Sequence, residues 1–214
     1  MNDVSTLLEE EETMELEAAY DAYAAECEDA LGIALARITS MQRAIERSHE
    51  RNLICSVESR IKTFASAMEK CERRGYDKTI VGIKKNVLDV GGIRIITPFR
   101  DDIFTIANML CHLPGVNVVD KKDYVNNPKE NGYRSYHMHV MIEAFLPLTK
   151  STKLIPLEIQ IRDKAMDLWA AIEHIVRYKN DCPDPNVAEN FKRTAEILTQ
   201  FDEMAIELRD YATN

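Results

Sequence analysis

From residue 7 to residue 48 the apolar positions recur at roughly helical intervals: Leu8, Leu16, Ala19, Tyr20, Tyr23, Leu31, Leu35, Ile38, Met41 and Ile45. The run has no proline and one glycine, Gly32, so it predicts one or two long helices. The helical period continues over 52–74, where Val57, Ile61, Phe64, Ala65 and Met68 make an apolar stripe ending before Gly75. The pattern then changes. VLDVGGIRIIT (87–97) reads as a strand rich in β-branched residues, and DDIFTIANMLCHL (101–113) as a helix with Asp in its first turn. Further strands are expected over 116–125, 135–146 and 155–162. A helix follows at about 164–179, then a break at Pro183 and Pro185, then a last helix near 186–211. This order predicts an α/β or α+β domain, with boundaries expected at 1–50 (N-terminal helical extension), 51–180 (core domain) and 181–214 (C-terminal helix).

Charge sharpens the picture. The net charge of −9 is concentrated at the start, where residues 1–30 hold 11 acidic residues and no Lys or Arg. Removing those 11 from the 36 acids leaves 25 against 27 bases, so the remaining body is about +2 and the acidic total does not forbid a polyanionic substrate there. The five cysteines (Cys27, Cys55, Cys71, Cys111, Cys182) are odd in number and scattered, a pattern of reduced thiols. No apolar run approaches the roughly 18 residues of a membrane span. The acidic N-terminus lacks the basic start and apolar core of a signal peptide, so a cytoplasmic protein is expected.

Four local patterns carry candidate chemistry. On the expected helix 57–73, Lys62, Ser66, Lys70 and Arg73 stack at three- and four-residue spacing, which suits a chain of phosphates, though taken alone the stripe reads first as a solvated basic face. In LEIQIR (157–162), strict alternation sets Glu158, Gln160 and Arg162 on one face, as in a ligand-facing strand or a half-exposed one. LDVGGIR (88–94) sets Asp89 beside a Gly pair and Arg94, where a carboxylate in an apolar strand calls for a partner or a metal. Asp89 and Glu158 on neighbouring strands could hold Mg²⁺, which takes one or two carboxylates plus substrate phosphates. In NPKENGYRSYHMH (127–139), two turn signals expose Lys129, Tyr133 and Arg134, and an exposed Tyr beside Arg can stack on a base. His137 and His139 share a strand face, but no Cys or third His has zinc spacing. His137 reads as a substrate contact or a satisfied strand residue. Together the four patterns describe phosphates, a divalent metal and a purine.

These residues resemble a known family. LDVGGIRI, NGYRSYH and LEIQIRDKAMDLWAAIEH are similar to the three signature segments of the RelA/SpoT synthetase domain, in the order found in the small single-domain alarmone synthetases. RIKTFASAMEK (60–70) resembles that family's R-x-K-x-x-x-S-x-x-x-K segment. The resemblance spans about residues 50–180. It implies a nucleotidyltransferase-like mixed sheet surrounded by helices. It also implies transfer of pyrophosphate from ATP to the 3′-hydroxyl of GDP or GTP, giving ppGpp or pppGpp and AMP. Carried over by residue, Asp89 and Glu158 match Mg²⁺-binding carboxylates, with Glu158 also the base toward the 3′-hydroxyl. Arg60 and Arg94 match the pair that sandwiches adenine. Lys62, Ser66 and Lys70 match contacts to the ATP phosphates. Lys129 and Arg134 match basic residues near the acceptor phosphates and reacting groups, and Tyr133 matches the tyrosine stacked on the acceptor base, with His137 completing its motif. Gln160, Arg162 and His174 match further active-face positions on the acceptor side. Three positions depart from the family pattern: Gly91 stands for a common Ala, Asp163 for Thr, and Asp167 for an Asn that contacts guanine in some relatives.

Alternative functions differ in acceptor. Toxin-type members of the family pyrophosphorylate the 3′ end of tRNA or make adenosine alarmones, and an antitoxin then becomes a partner. A tRNA substrate needs a basic surface outside the site, for which Lys84, Lys85, Lys121 and Lys122 are the candidates. A third possibility is a catalytically dead nucleotide-binding module, against which the retained carboxylates and cations argue. The apolar stripes of the terminal helices predict a homo-oligomer, with the tetramer favoured by the resemblance.

Overall fold

The computed structural model describes residues 2–48, 51–146, 149–179 and 185–213. The N-terminal pattern forms one helix, α1 (Asn2–Ser48). Its buried positions, among them Tyr20, Tyr23, Cys27, Leu31, Ala34, Ile38, Met41 and Ile45, recur at three and four residues and keep one stripe facing inward. That stripe lies on a five-stranded mixed sheet of β1 (Ser56–Ile61), β2 (Gly91–Thr97), β3 (Val116–Asp123), β4 (Tyr136–Leu146) and β5 (Ser151–Asp163). The spatial order is β1-β2-β5-β4-β3, with β2 and β5 parallel and the other neighbours antiparallel.

The period of two divides the sheet into a dry face and a working face. Ile93, Ile95, Leu157, Ile159, Ile161, Met138, Val140 and Ile142 are all buried and form the core beneath α1. Gly91 lies on this face, where an added Cβ would sit 2.4 Å from Leu157 and 3.4 Å from Leu31. Burial of each such Ile or Leu contributes about 1.5–3 kcal/mol. The helix α4 (Asp102–Cys111) adds Ile103, Ile106 and Leu110 to the same core. Its first residue, buried Asp102, takes both guanidinium nitrogens of Arg51 at 2.7 and 2.6 Å.

The expected helix over 52–74 divides into β1 and α2 (Phe64–Arg74). Thr63 makes the break: its backbone is extended and its side chain accepts from Ser66 N at 3.3 Å, capping α2. Val57 and Ile61 are four apart, a spacing that satisfies a strand as well as a helix, so periodicity alone misassigns an edge strand. A further helix, α3 (Ile80–Asn86), was not expected, and Thr79 caps it through Gly82 N. The expected strand 87–97 begins only at Gly91. Asp89 therefore stands in a turn leading into β2, not in the strand, with Val90 O accepting from Lys62 N at 2.8 Å.

Two helices close the chain, α5 (Lys164–Lys179) and α6 (Pro185–Thr213). They pack against each other through a second, small core of Met166, Trp169 and Ala195, with Tyr133, Phe191 and Leu198 partly buried against it. The Trp169 indole N–H donates to Phe191 O at 3.0 Å. Among the described residues no helix is long and apolar enough to cross a membrane, and Cys27, Cys55, Cys71 and Cys111 are free thiols. Cys182, with the Pro183 break, lies outside the described residues.

Candidate active site

Strand register builds the working face as two transverse rows of polar residues. One row runs Arg60, Gly92, Glu158, His139, Asp120 across β1, β2, β5, β4 and β3. The next row runs Glu58, Arg94, Gln160, His137, Lys122 in the same order. At Gly92 the first row has no side chain, and an added Cβ would meet nothing nearer than Arg60 Cγ at 3.9 Å. The gap opens a hollow lined by Glu58, Arg60, Asp89, Arg94, Glu158 and Gln160 among others.

Glu158 sits at the centre of this face. Its Oε1 lies 3.1 Å from His137 Nδ1 and 3.7 Å from His139 Nε2, and its Oε2 accepts from Gln160 Nε2 at 2.7 Å. Burial alone would raise its pKa, but the His137 and Gln160 hydrogen bonds and the nearby His139 outweigh burial and hold it at about 2. The carboxylate is therefore ionised throughout the physiological range.

At the α2 end, Lys70 Nζ and Lys62 Nζ lie 2.8 and 3.3 Å from the two oxygens of Asp89. Lys62 is not on a helix: it follows β1, and the turn at Thr63 carries the chain to Ser66 and Lys70 on the first turns of α2. The cation and hydroxyl set expected on one helix face is thus assembled from a strand end and a helix start. Ser66 Oγ accepts from Thr63 Oγ1 at 2.9 Å. Asp89 and Glu158 face one hollow with oxygen donors only, and among the described residues no group of three or more His, Cys, Asp or Glu encloses a metal. Two carboxylates needing phosphate oxygens to complete a shell fit Mg²⁺ better than zinc.

The opposite end is aromatic. Lys129 Nζ lies over the Tyr124 and Tyr133 rings, 4.9 and 4.8 Å from their centroids, and the Arg162 guanidinium is 5.6 Å from that of Tyr133. Burial lowers the Lys129 pKa, opposed by Glu158 and Glu173. The loop is shaped by Gly132, at φ +88°, with Gly132 N donating to Lys129 O at 2.8 Å and Asn131 Nδ2 to Glu173 at 2.8 Å. A Cβ at Gly132 would come 2.6 Å from Ala195 Cβ, so α6 packs directly on this loop. Arg162 is almost fully buried: its Nη2 donates to Gln160 Oε1 at 3.3 Å and its Nη1 lies 3.5 Å from Asp167. Asp167 also stands 4.0 Å from Arg94 Nη1. The Nε atoms of Arg94 and Arg162 are buried with no hydrogen-bond partner among the described residues.

Three placements differ from expectation. Tyr133 is half-buried rather than exposed, because the small core around Trp169 holds it, 6.1 Å between centroids. Arg134 turns away from the hollow: its Nη1 bonds Thr199 Oγ1 and reaches Ala195 O at 3.5 Å on α6. Burial lowers the pKa of that guanidinium, with Arg100 adding repulsion, and its contacts link the acceptor loop to α6. His174 is an exposed residue of α5. Asp163 is buried, accepts from Met166 N at 2.7 Å and so starts α5. Sequence patterns missed Glu58, Tyr124 and Trp169, and placed His139 on the face of His137 without giving it a role in the site. The alternation in Val57-Glu58-Ser59-Arg60-Ile61 signals a strand and would have put Glu58 beside Arg60; Tyr124 and Trp169 had no period or turn signal for a site.

A family model described as "Region found in RelA / SpoT proteins" matches residues 59–182. GTP pyrophosphokinase YwaC of Bacillus subtilis is 38% identical over 163 residues, covering 75% of this chain and 76% of that protein. GTP pyrophosphokinase YjbM of the same organism is 33% identical over 174 residues, covering 81% and 80%. The crystal structure of small alarmone synthetase 1 from Bacillus subtilis bound to its product pppGpp superposes with a TM-score of 0.83 at 30% identity, covering 91% of this chain and 98% of that one.

Proposed function

The chain belongs to the RelA/SpoT family, and on that premise we propose the reaction and the role of each residue in the working face. The protein is a (p)ppGpp synthetase. It transfers pyrophosphate from ATP to the 3′-hydroxyl of GDP or GTP and releases AMP. One observation carries the reading: the Glu158 carboxylate, fixed by His137 and Gln160, stands between a lysine-paired Asp89 at one end and a cation-flanked Tyr133 at the other.

ATP lies with its base between Arg60 and Arg94 and its phosphates toward Lys62, Ser66 and Lys70, the two lysines exchanging Asp89 for phosphate oxygens. The acceptor base stacks on Tyr133, and Lys129 and Arg162 balance its phosphates. The 3′-oxygen attacks the β-phosphorus, a new P–O bond forms, and the bond from the β-phosphorus to the bridging oxygen of AMP breaks. Glu158 orients the 3′-hydroxyl and receives its proton, while His137 and Gln160 fix the carboxylate. Asp89 and Glu158 would hold Mg²⁺, which when bound lowers the pKa of the hydroxyl and offsets phosphate charge. Arg134 acts at one remove, by keeping α6 against the acceptor loop.

A homo-oligomer, favoured as a tetramer, is supported by the outer face of α6. Ile197, Phe201, Met204, Leu208 and Tyr211 are exposed there at alternating spacings of four and three. A cytoplasmic location agrees with the free thiols. A tRNA acceptor has less support, since Lys84 lies over the Tyr23 ring and Lys122 pairs with Asp120 at 3.7 Å.

The test is incubation with Mg²⁺ and ATP labelled on the γ-phosphate, offering GDP, GTP, AMP and bulk tRNA separately. Label is expected in guanosine tetra- or pentaphosphate, lost on chelation of the metal and restored by Mg²⁺. Glu158→Gln should abolish transfer while ATP binding stays within a few-fold. Label on tRNA or AMP alone, or full activity in Glu158→Gln, would overturn this assignment.

A further inference from the structure

Glu58 has no part in the reaction described above, yet it lines the same hollow. It shares the outward face of β1 with Arg60, two residues away, and stands directly opposite Arg94 on β2. Its Oε2 lies 3.4 Å from Arg94 Nη1, and its side chain is 60% exposed, so one carboxylate oxygen remains open to the hollow. The ends of the donor site are marked by charge. Lys62 and Lys70 cluster on Asp89 just past the C-terminal end of β1, whereas Glu58 lies toward the start of that strand, on the far side of Arg60. Phosphates belong at the first end, so the edge of the base most distant from the ribose points to the second. In adenine that edge carries the 6-amino group, a hydrogen-bond donor. A carboxylate is an acceptor only, and it is the acidic group lining that end of the hollow.

We infer that Glu58 is a specificity-determining residue that accepts a hydrogen bond from the 6-amino group of the donor purine held between Arg60 and Arg94. The inference rests on the proposed reading of this hollow as the ATP site. Arg94 keeps a second carboxylate neighbour in Asp167 at 4.0 Å, so removing the Glu58 charge leaves the guanidinium paired from the other side. Glu58 lies at the exposed edge of the sheet, where substitution disturbs no core packing.

The experiment is a comparison of ATP with purine riboside triphosphate, which lacks the 6-amino group and is otherwise the same size. Transfer to labelled GDP at saturating concentration is measured for the wild-type chain, Glu58→Gln and Glu58→Ala. A hydrogen bond to a charged group predicts that loss of the amino group lowers kcat/KM about tenfold to a hundredfold in the wild type. In Glu58→Ala the two donors should differ by less than about twofold, with Glu58→Gln between, because its amide oxygen still accepts. Equal penalties in wild type and Glu58→Ala would overturn the inference, and so would a wild type indifferent to the amino group. A uniform loss with both donors in Glu58→Ala would make Glu58 a support for Arg94 alone. Failure of the wild type to transfer from ATP at all would instead remove the reading of the site, and the inference with it.

Discussion

Asp202 offers a test of the packing between α6 and the sheet. It is 7% exposed, beside Asp163 at 1%, with Arg100, Arg134 and Glu203 around it. Burial, then the Asp163 carboxylate, push its pKa up from 3.8 to about 7 against the opposing pull of Arg100 and Arg134. A carboxyl raised on folding binds its proton more tightly in the native state than in the unfolded one. Between those two pKa values the native state therefore holds more protons, and stability falls as pH rises. With values of 3.8 and about 7, the ionisable group costs the fold about 2.5 kcal/mol more at pH 8 than at pH 5. Asp202→Asn removes the titration and keeps the size. For a chain of this length each 1 kcal/mol shifts Tm by about 2–4 °C, so the variant should gain about 5–10 °C on the wild type between pH 5 and pH 8. Thermal unfolding by circular dichroism at three pH values reads this directly. A Tm difference between variant and wild type that does not change with pH would refute the argument.

Other predictions address the site and the assembly. Tyr133→Ala should raise the acceptor KM by about fivefold to 150-fold and leave the ATP KM within about twofold, since the ring contributes stacking worth about 1–3 kcal/mol at one end of the site only. Equal changes in both would remove Tyr133 from the acceptor. Phe201→Glu combined with Leu208→Glu, on the outer stripe of α6, should lower the oligomeric state in sedimentation, because charges in a helix seam oppose its association. An unchanged sedimentation coefficient would move the interface elsewhere. Gly132→Ala should weaken acceptor binding and lower Tm, because its φ is +88° and its Cβ would meet Ala195. A variant equal to wild type in both would mean the loop is not wedged against α6.

The long stripe of α1, the alternation of LEIQIR and the signals at Gly132 were legible because they depend on local periods: 3.6 residues for a helix against a core, two for a strand with one wet face, and positive φ for a turn. The same periods located Glu158, Gln160 and Arg162 on one face before any fold was known. They failed over 56–61, where an edge strand buries too little to suppress a helical reading, and over 87–90, where a turn with β-branched residues reads as strand. Tertiary structure alone decided which cations meet which carboxylates. Lys62 and Lys70 converge on Asp89 because a strand end and a helix start meet the turn before β2, residues that lie up to 27 positions apart in the chain. Glu58 opposes Arg94 only through antiparallel register, and Arg134 turns to Thr199 only because α6 packs on its loop. Period determines which way a side chain faces along its own element; distance between elements is set by the packing of the core, and the chemistry of this site lives in those distances.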